Sequence, residues 1–163
     1  MVINTNNGTS TNDATVTLPT VQSSQFTAQN TTAGWTAITF QLSGCQAQAG
    51  TDTSPPAVSK VVPYFEQGPN TDLGTGYLTP GSGTAKGVEV ALSTTNGPSG
   101  VLSLQKGPTA QGGLPAASFM SGSGSSVASA NPTFTYYVGY VSTAASITPG
   151  TVNTTVQYDL AYQ

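Results

Sequence analysis

The sequence predicts an all-β domain of immunoglobulin-like sandwich type, and three observations predict it. Helix formers such as Leu, Glu, Lys and Met are scarce, while Thr, Val, Gly and Ser abound. Short apolar runs recur with period-two alternation, separated by clusters of Gly, Pro, Asn and Ser. The final segment alternates most strictly: Val152, Thr154, Val156, Tyr158, Leu160 and Tyr162 share one face. About seven strands divided by turns fit two packed antiparallel sheets.

The elements follow in order. Thr15-Val16-Thr17-Leu18 alternates and stops at Pro19. Trp35 to Ser43 sets Ile38, Phe40 and Leu42 on one face. Lys60 to Glu66 is strongly apolar, and Pro63 within it predicts an edge or a bulge, because proline donates nothing to a ladder. Val88, Val90 and Leu92 alternate with Glu89 and Ala91, and Val101 to Leu104 is a short candidate. Pro108 to Pro132, rich in Gly, Ser and Ala, reads as a long loop with one weak strand near Ala117 to Met120. Phe134, Tyr136, Val138 and Tyr140 alternate again. The last strand is expected to run unbroken from Val152 to Tyr162. At 163 residues the chain fits one domain, 1–163, and Thr51 to Pro56 reads as a loop within it.

Composition excludes several functions. Only 6% of residues are charged, against roughly 25% in an ordinary soluble domain. There is no His and no Arg, and the bases are Lys60, Lys86 and Lys106. With a net charge of −3 and no basic cluster, nucleic acid is not an expected partner, because phosphate binding needs a stripe of bases. No run of apolar residues is long enough for a transmembrane helix. Met1 leads into Val2-Ile3-Asn4-Thr5 without a basic or an apolar leader region, so no signal peptide is read in this sequence. A surface coated with Thr, Ser, Asn, Gln and Gly suits packing against further copies of the chain.

Chemistry is hard to find. Without His, acid–base work falls to carboxylates, Lys or Tyr, and His-based nucleophile systems are impossible. The nearest carboxylates in sequence are Glu66 and Asp72, in Glu66-Gln67-Gly68-Pro69-Asn70-Thr71-Asp72. Two acids could serve a glycosidase, but a polar turn after a strand is the simpler reading. The Asp and Asn residues lack calcium-loop spacing, and Gly81-Ser82-Gly83 precedes no helix. No enzyme activity, metal or cofactor is expected. Three sequons, at Asn7, Asn30 and Asn153, are chance matches in a chain so rich in Asn and Thr. Cys45, the single cysteine, reads equally as a small buried residue or as half of a disulfide whose partner lies outside this sequence.

Four stretches together resemble the major subunits of chaperone–usher fimbriae, of type 1-like or Bordetella-type. They are Phe40-Gln41-Leu42-Ser43-Gly44-Cys45; Val62 to Asp72 followed by Thr75-Gly76-Tyr77-Leu78; Ala85 to Leu92; and the carboxyl terminus, with Gly150 fourteenth from the end and Tyr162 penultimate. The resemblance implies an incomplete immunoglobulin-like sandwich, the pilin fold, that lacks its final strand. It implies a structural subunit of a surface fimbria that supports cell adhesion. Such a subunit polymerises by donor-strand complementation with neighbouring subunits, after passage through the periplasm with a chaperone and an outer-membrane usher. It implies that Gly150, Val152, Val156, Tyr158, Leu160 and Tyr162 bind the donor or chaperone strand, that Cys45 is half of a bridge, and that the product is extracellular. The sequence departs from the pattern at its start: Val2-Ile3-Asn4 resembles the residues after the family's first cysteine, and Met1 stands about where that cysteine belongs. A donor extension is not found ahead of it. The alternative is a carbohydrate-binding adhesin or lectin domain on a similar sandwich, with Trp35 and the tyrosines stacking on sugars.

Overall fold

A four-stranded antiparallel sheet and a three-stranded one supply the two faces of the core in the computed structural model, which describes residues 2–5, 13–44, 60–118, 120–121 and 128–163. The strands are β1 (Val2–Thr5), β2 (Thr32–Ser43), β3 (Lys60–Phe65), β4 (Val88–Ser93), β5 (Ala117–Ser118), β6 (Met120–Ser121), β7 (Ala128–Ser129), β8 (Thr133–Ser142) and β9 (Tyr158–Tyr162). The larger sheet has the order β1-β2-β8-β4 and the smaller β5-β3-β9, while β6 and β7 form a separate pair. No α-helix occurs among the described residues; two single-turn 3-10 segments do, at Ser23–Gln25 and Pro98–Gly100. The all-β sandwich expected from the alternation is therefore present.

Alternation explains which side chains go inside. Ile38, Phe40 and Leu42 of β2 and Phe134 and Tyr136 of β8 are buried, and they meet Val61 and Phe65 of β3 in one apolar core. The rings pack edge to face: Phe65 and Tyr136 lie 5.0 Å apart at 90°, and Phe40 and Tyr136 6.0 Å apart at 84°. Burial pushes the Tyr136 hydroxyl up to about 12.

β4 departs from the expected in-and-out pattern, because all six of its residues are buried. Its outward face is covered locally. Ser93 donates to Gly97 O at 2.7 Å, and Ala91 pairs with Gly139. Trp35 lies over Gly139, where a Cβ would stand 2.6 Å from the indole ring. The register of β2 slips between Ala33 and Thr36, at Gly34 with φ of 70°, and this bulge carries Trp35.

Pro63 sits inside β3, opposite Leu160, and the hydrogen bonds around it show how it is tolerated. Lys60 and Glu66 direct their N–H groups to β9, at Gln163 O and Gln157 O. Odd-numbered residues therefore face the other way, where β5 pairs only Lys60 and Val61. Beyond β5 the Gln111 side chain takes over, accepting from Phe65 N at 3.2 Å and donating to Phe65 O at 2.6 Å. Pro63 falls in the gap between them, a local edge as the sequence predicts.

Three expectations differ from the structure. Thr15 to Leu18 and Val101 to Leu104 are not ladder strands, although Leu102 and Leu104 are buried. The last strand is regular only from Tyr158 to Tyr162, not from Val152. The reason is a missing partner: β9 pairs with β3 from Phe65 onward, and residues 152–156 lie past the end of β3. β1, which pairs Val2 with Ser43 and Thr5 with Phe40, had no signal beyond its short apolar start.

Candidate functional site: an open strand slot

Two extended segments flank a groove of about 880 Å³ over the apolar core. One wall is Asp13 to Leu18 and the other Val152 to Asp159. Both alternate: Ala14, Val16 and Leu18 turn inward and are half-buried while Thr15 and Thr17 are exposed. Val152, Thr154, Val156 and Tyr158 do the same against exposed Asn153, Thr155, Gln157 and Asp159. The floor is made by Ile38, Phe40, Phe65, Leu78, Val90 and Leu92.

The walls run antiparallel. At one end Asp13 acts on the Tyr158 phenol, whose pKa is raised first by burial and then by that charge. At the other end Val21, just beyond the first wall, and Val152 both pack on the Phe26, Ala85 and Val88 cluster. Tyr158 closes the first end, its ring 5.1 Å from that of Phe40.

The second wall is held from outside. Thr84 N and Ala85 N donate to Thr151 O at 2.9 and 3.0 Å, and Asn153 N donates to Pro80 O at 3.1 Å. Asn70 Nδ2 donates to Thr155 Oγ1 at 3.0 Å, and Glu66 N to Gln157 O at 2.8 Å. Gly83 and Gly150 make this close approach possible. A Cβ on Gly150 would meet the Ala85 amide and stand 2.6 Å from Thr84 Oγ1, and one on Gly83 would meet the Thr151 carbonyl.

The groove side has no such partners. Among the described residues, Ala14 to Leu18, Thr154 and Val156 make no backbone hydrogen bond. The Thr154 hydroxyl is buried without a partner as well. Two facing extended segments with unsatisfied backbones, set over an apolar floor, have the shape of a sheet position that lacks its strand.

The six residues singled out in the carboxyl-terminal segment fall in different places. Val152, Val156 and Tyr158 line the groove. Leu160 packs on the main core opposite Pro63, and Tyr162, opposite Val61, is 49% exposed. Gly150 lies at the base of the second wall, against Thr84 and Ala85. Cys45 and Met1 lie outside the described residues, two positions beyond Ser43 and one before Val2. Trp35 is half-buried over Gly139.

Acidic residues pair in a way that sequence order hides. Glu66 and Asp72 do not pair with each other. Glu66 meets Asp159 across the β3–β9 ladder, and the hydrogen bond and charge between them raise the Glu66 pKa. Asp72 accepts from Gly74 N at 2.6 Å, a bond that holds its pKa low. Glu89, 7% exposed, accepts from Thr75 Oγ1 at 2.7 Å, and burial raises its pKa. Among the described residues no group of three His, Cys, Asp or Glu side chains is arranged to hold a metal ion. The Asp13 to Leu18 wall and Gln111, which seats Phe65 in the floor, were not recognised as site residues from sequence. The alternation of Ala14, Val16 and Leu18 was the available signal for the first; nothing local marks the second.

The fold is thus an all-β sandwich of two antiparallel sheets with a strand-shaped slot between its walls. The chain is 33% identical over 156 residues to an F17 fimbrial protein of Escherichia coli, a match covering 95% of this chain and 78% of that protein. In fold it is similar to the crystal structure of an antigen and type I fimbria protein of Burkholderia pseudomallei, with a TM-score of 0.56 and 23% identity over 95% of this chain and 86% of that one. No family model matches the chain. The chain belongs to the fimbrial subunit proteins, structural components of bacterial surface fimbriae.

Proposed function

We propose that the groove between residues 13–18 and 152–159 is the site through which this subunit joins its fimbria. It accepts an extended strand from a neighbouring subunit, and during export it accepts one from a periplasmic chaperone that hands the subunit to an outer-membrane usher. The observation that carries this reading is the pair of antiparallel walls over an apolar floor, in which Ala14 to Leu18, Thr154 and Val156 make no backbone hydrogen bond among the described residues. An inserted strand would form ladders with both walls, giving affinity that depends little on sequence, while its alternate side chains would fill the floor. In this role Val152, Val156 and Tyr158 contact the strand. Leu160 and Tyr162 anchor the second wall to β3, and Gly150 lets that wall seat on residues 84–85. The chain works as one pilin domain with no catalytic centre, and its destination is the extracellular fimbrium.

The test is a synthetic strand peptide with alternating apolar residues, titrated into the protein. Specific binding stabilises the folded state by about 2.7 kcal/mol at a hundredfold excess over Kd, which a melting curve reads directly. No rise in melting temperature with any such peptide would dismiss the groove as the assembly site.

A further inference from the structure

The groove carries charge at one end only. Of the chain's six acids, three line it: Asp13 on one wall, Asp159 on the other, and Glu66 beside Asp159. None of the three lysines does. Asp13 and Asp159 are exposed and belong to the outward-facing set of each wall, and Glu66 follows Tyr64 on the outer face of β3. The antiparallel arrangement brings Asp13 to the Tyr158 end, so both walls present carboxylates at the same end. Glu66 and Asp159 lie beside each other across the β3–β9 ladder, so the negative charge at this end is concentrated.

A strand laid between these walls sends alternate side chains to the floor and the rest outward. Ile38, Leu78, Val90 and Leu92 of the floor are aliphatic, and a slip by two residues keeps apolar groups against apolar groups. A single charged end removes that degeneracy, because opposite charges at an edge favour one register and like charges oppose it.

Resting on the groove reading above, we infer that the strand donated by the neighbouring subunit carries a Lys or Arg pointing outward at the end flanked by Asp13 and Asp159. Its inward residues are apolar, and the basic side chain sets both the direction and the register of insertion.

The experiment uses four synthetic peptides with the same alternating apolar residues. They differ at one outward position near one end, which holds Lys, Gln or Glu; the fourth carries the Lys at the opposite end. Each is titrated calorimetrically into the full chain and into an Asp13→Asn/Asp159→Asn variant. The first Lys peptide should bind the parent about three- to tenfold more tightly than the Gln peptide, the scale of two or three exposed ion pairs. The Glu peptide and the displaced Lys peptide should gain nothing. The preference should fall towards unity in about 0.5 M salt, where such charges are screened. It should fall to the remainder that Glu66 supplies in the double variant, which still binds the Gln peptide. Equal binding of Lys and Gln peptides at low salt, or a preference undiminished in the double variant, would overturn the charge inference and leave the groove in place. Failure of all four peptides to bind would remove the groove itself and the inference with it.

Discussion

Val156→Asp separates binding in the groove from folding. Val156 is half-buried in the open groove, packs on the core, and has no backbone partner among the described residues. In the free protein the new carboxylate reaches water through the groove, so folding should suffer little. An inserted strand would cover it. Two costs then follow. Roughly 1 kcal/mol of apolar burial is lost, part of the ~1.5–3 kcal/mol for a fully buried valine. Enclosing the carboxylate raises its pKa by about 3 units, and at about 1.4 kcal/mol per unit this adds roughly 4 kcal/mol at neutral pH. The total of about 5 kcal/mol corresponds to more than a thousandfold loss of affinity. Lowering the pH to about 4 protonates the group and should restore most of the binding, leaving only the apolar loss. Asn153→Asp is the control, because Asn153 faces outward on the same wall and its change should cost under about 0.5 kcal/mol. Calorimetric titration of an apolar strand peptide, with circular dichroism to verify folding, gives both numbers. Folded Val156→Asp that binds like the parent, or equal losses in the two variants, would refute the assignment of this face to the groove.

Other expectations concern the frame around the site. Gly150→Ala pushes a methyl group against Thr84 and Ala85 and should lower stability by about 1–3 kcal/mol in denaturant unfolding, with weaker peptide binding as the wall shifts. Gln111→Ala leaves both backbone groups of Phe65 unpaired in a buried setting and should cost about 2–4 kcal/mol by the same measurement. Glu89 has a folded pKa above its ordinary 4.5, so its contribution is full below that value and lost as pH rises through the folded pKa. Glu89→Gln should therefore melt higher than the parent at neutral pH and draw level below about pH 4. The resemblance sets Met1 at the place of the family's first cysteine, so Met1→Cys is expected to bridge to Cys45 and add about 2–4 kcal/mol under oxidising conditions, an increment absent after reduction.

The architecture was legible because its signals are local. Period-two alternation in Phe40 to Ser43, Phe134 to Tyr140 and the last twelve residues sets which side chains can share a face, whatever lies opposite. The same alternation marks Val152, Val156 and Tyr158 as an inward row, and the lack of His and Arg restricts the chemistry by composition alone. Alternation does not name a strand's neighbour. Ladder pairing joins residues about a hundred positions apart, as in Phe65 with Tyr158, and is decided by the packing of both sheets. Only the tertiary structure could show that β9 leaves β3 at Tyr158, that residues 14–18 and 152–156 face one another with Ala14 to Leu18, Thr154 and Val156 lacking backbone partners among the described residues, and that Gln111 continues the sheet where β5 ends. Only it could separate Glu66 from Asp72 and bring Asp13, Glu66 and Asp159 to one end of a groove, because through-space charge pairing depends on distances that sequence separation does not encode.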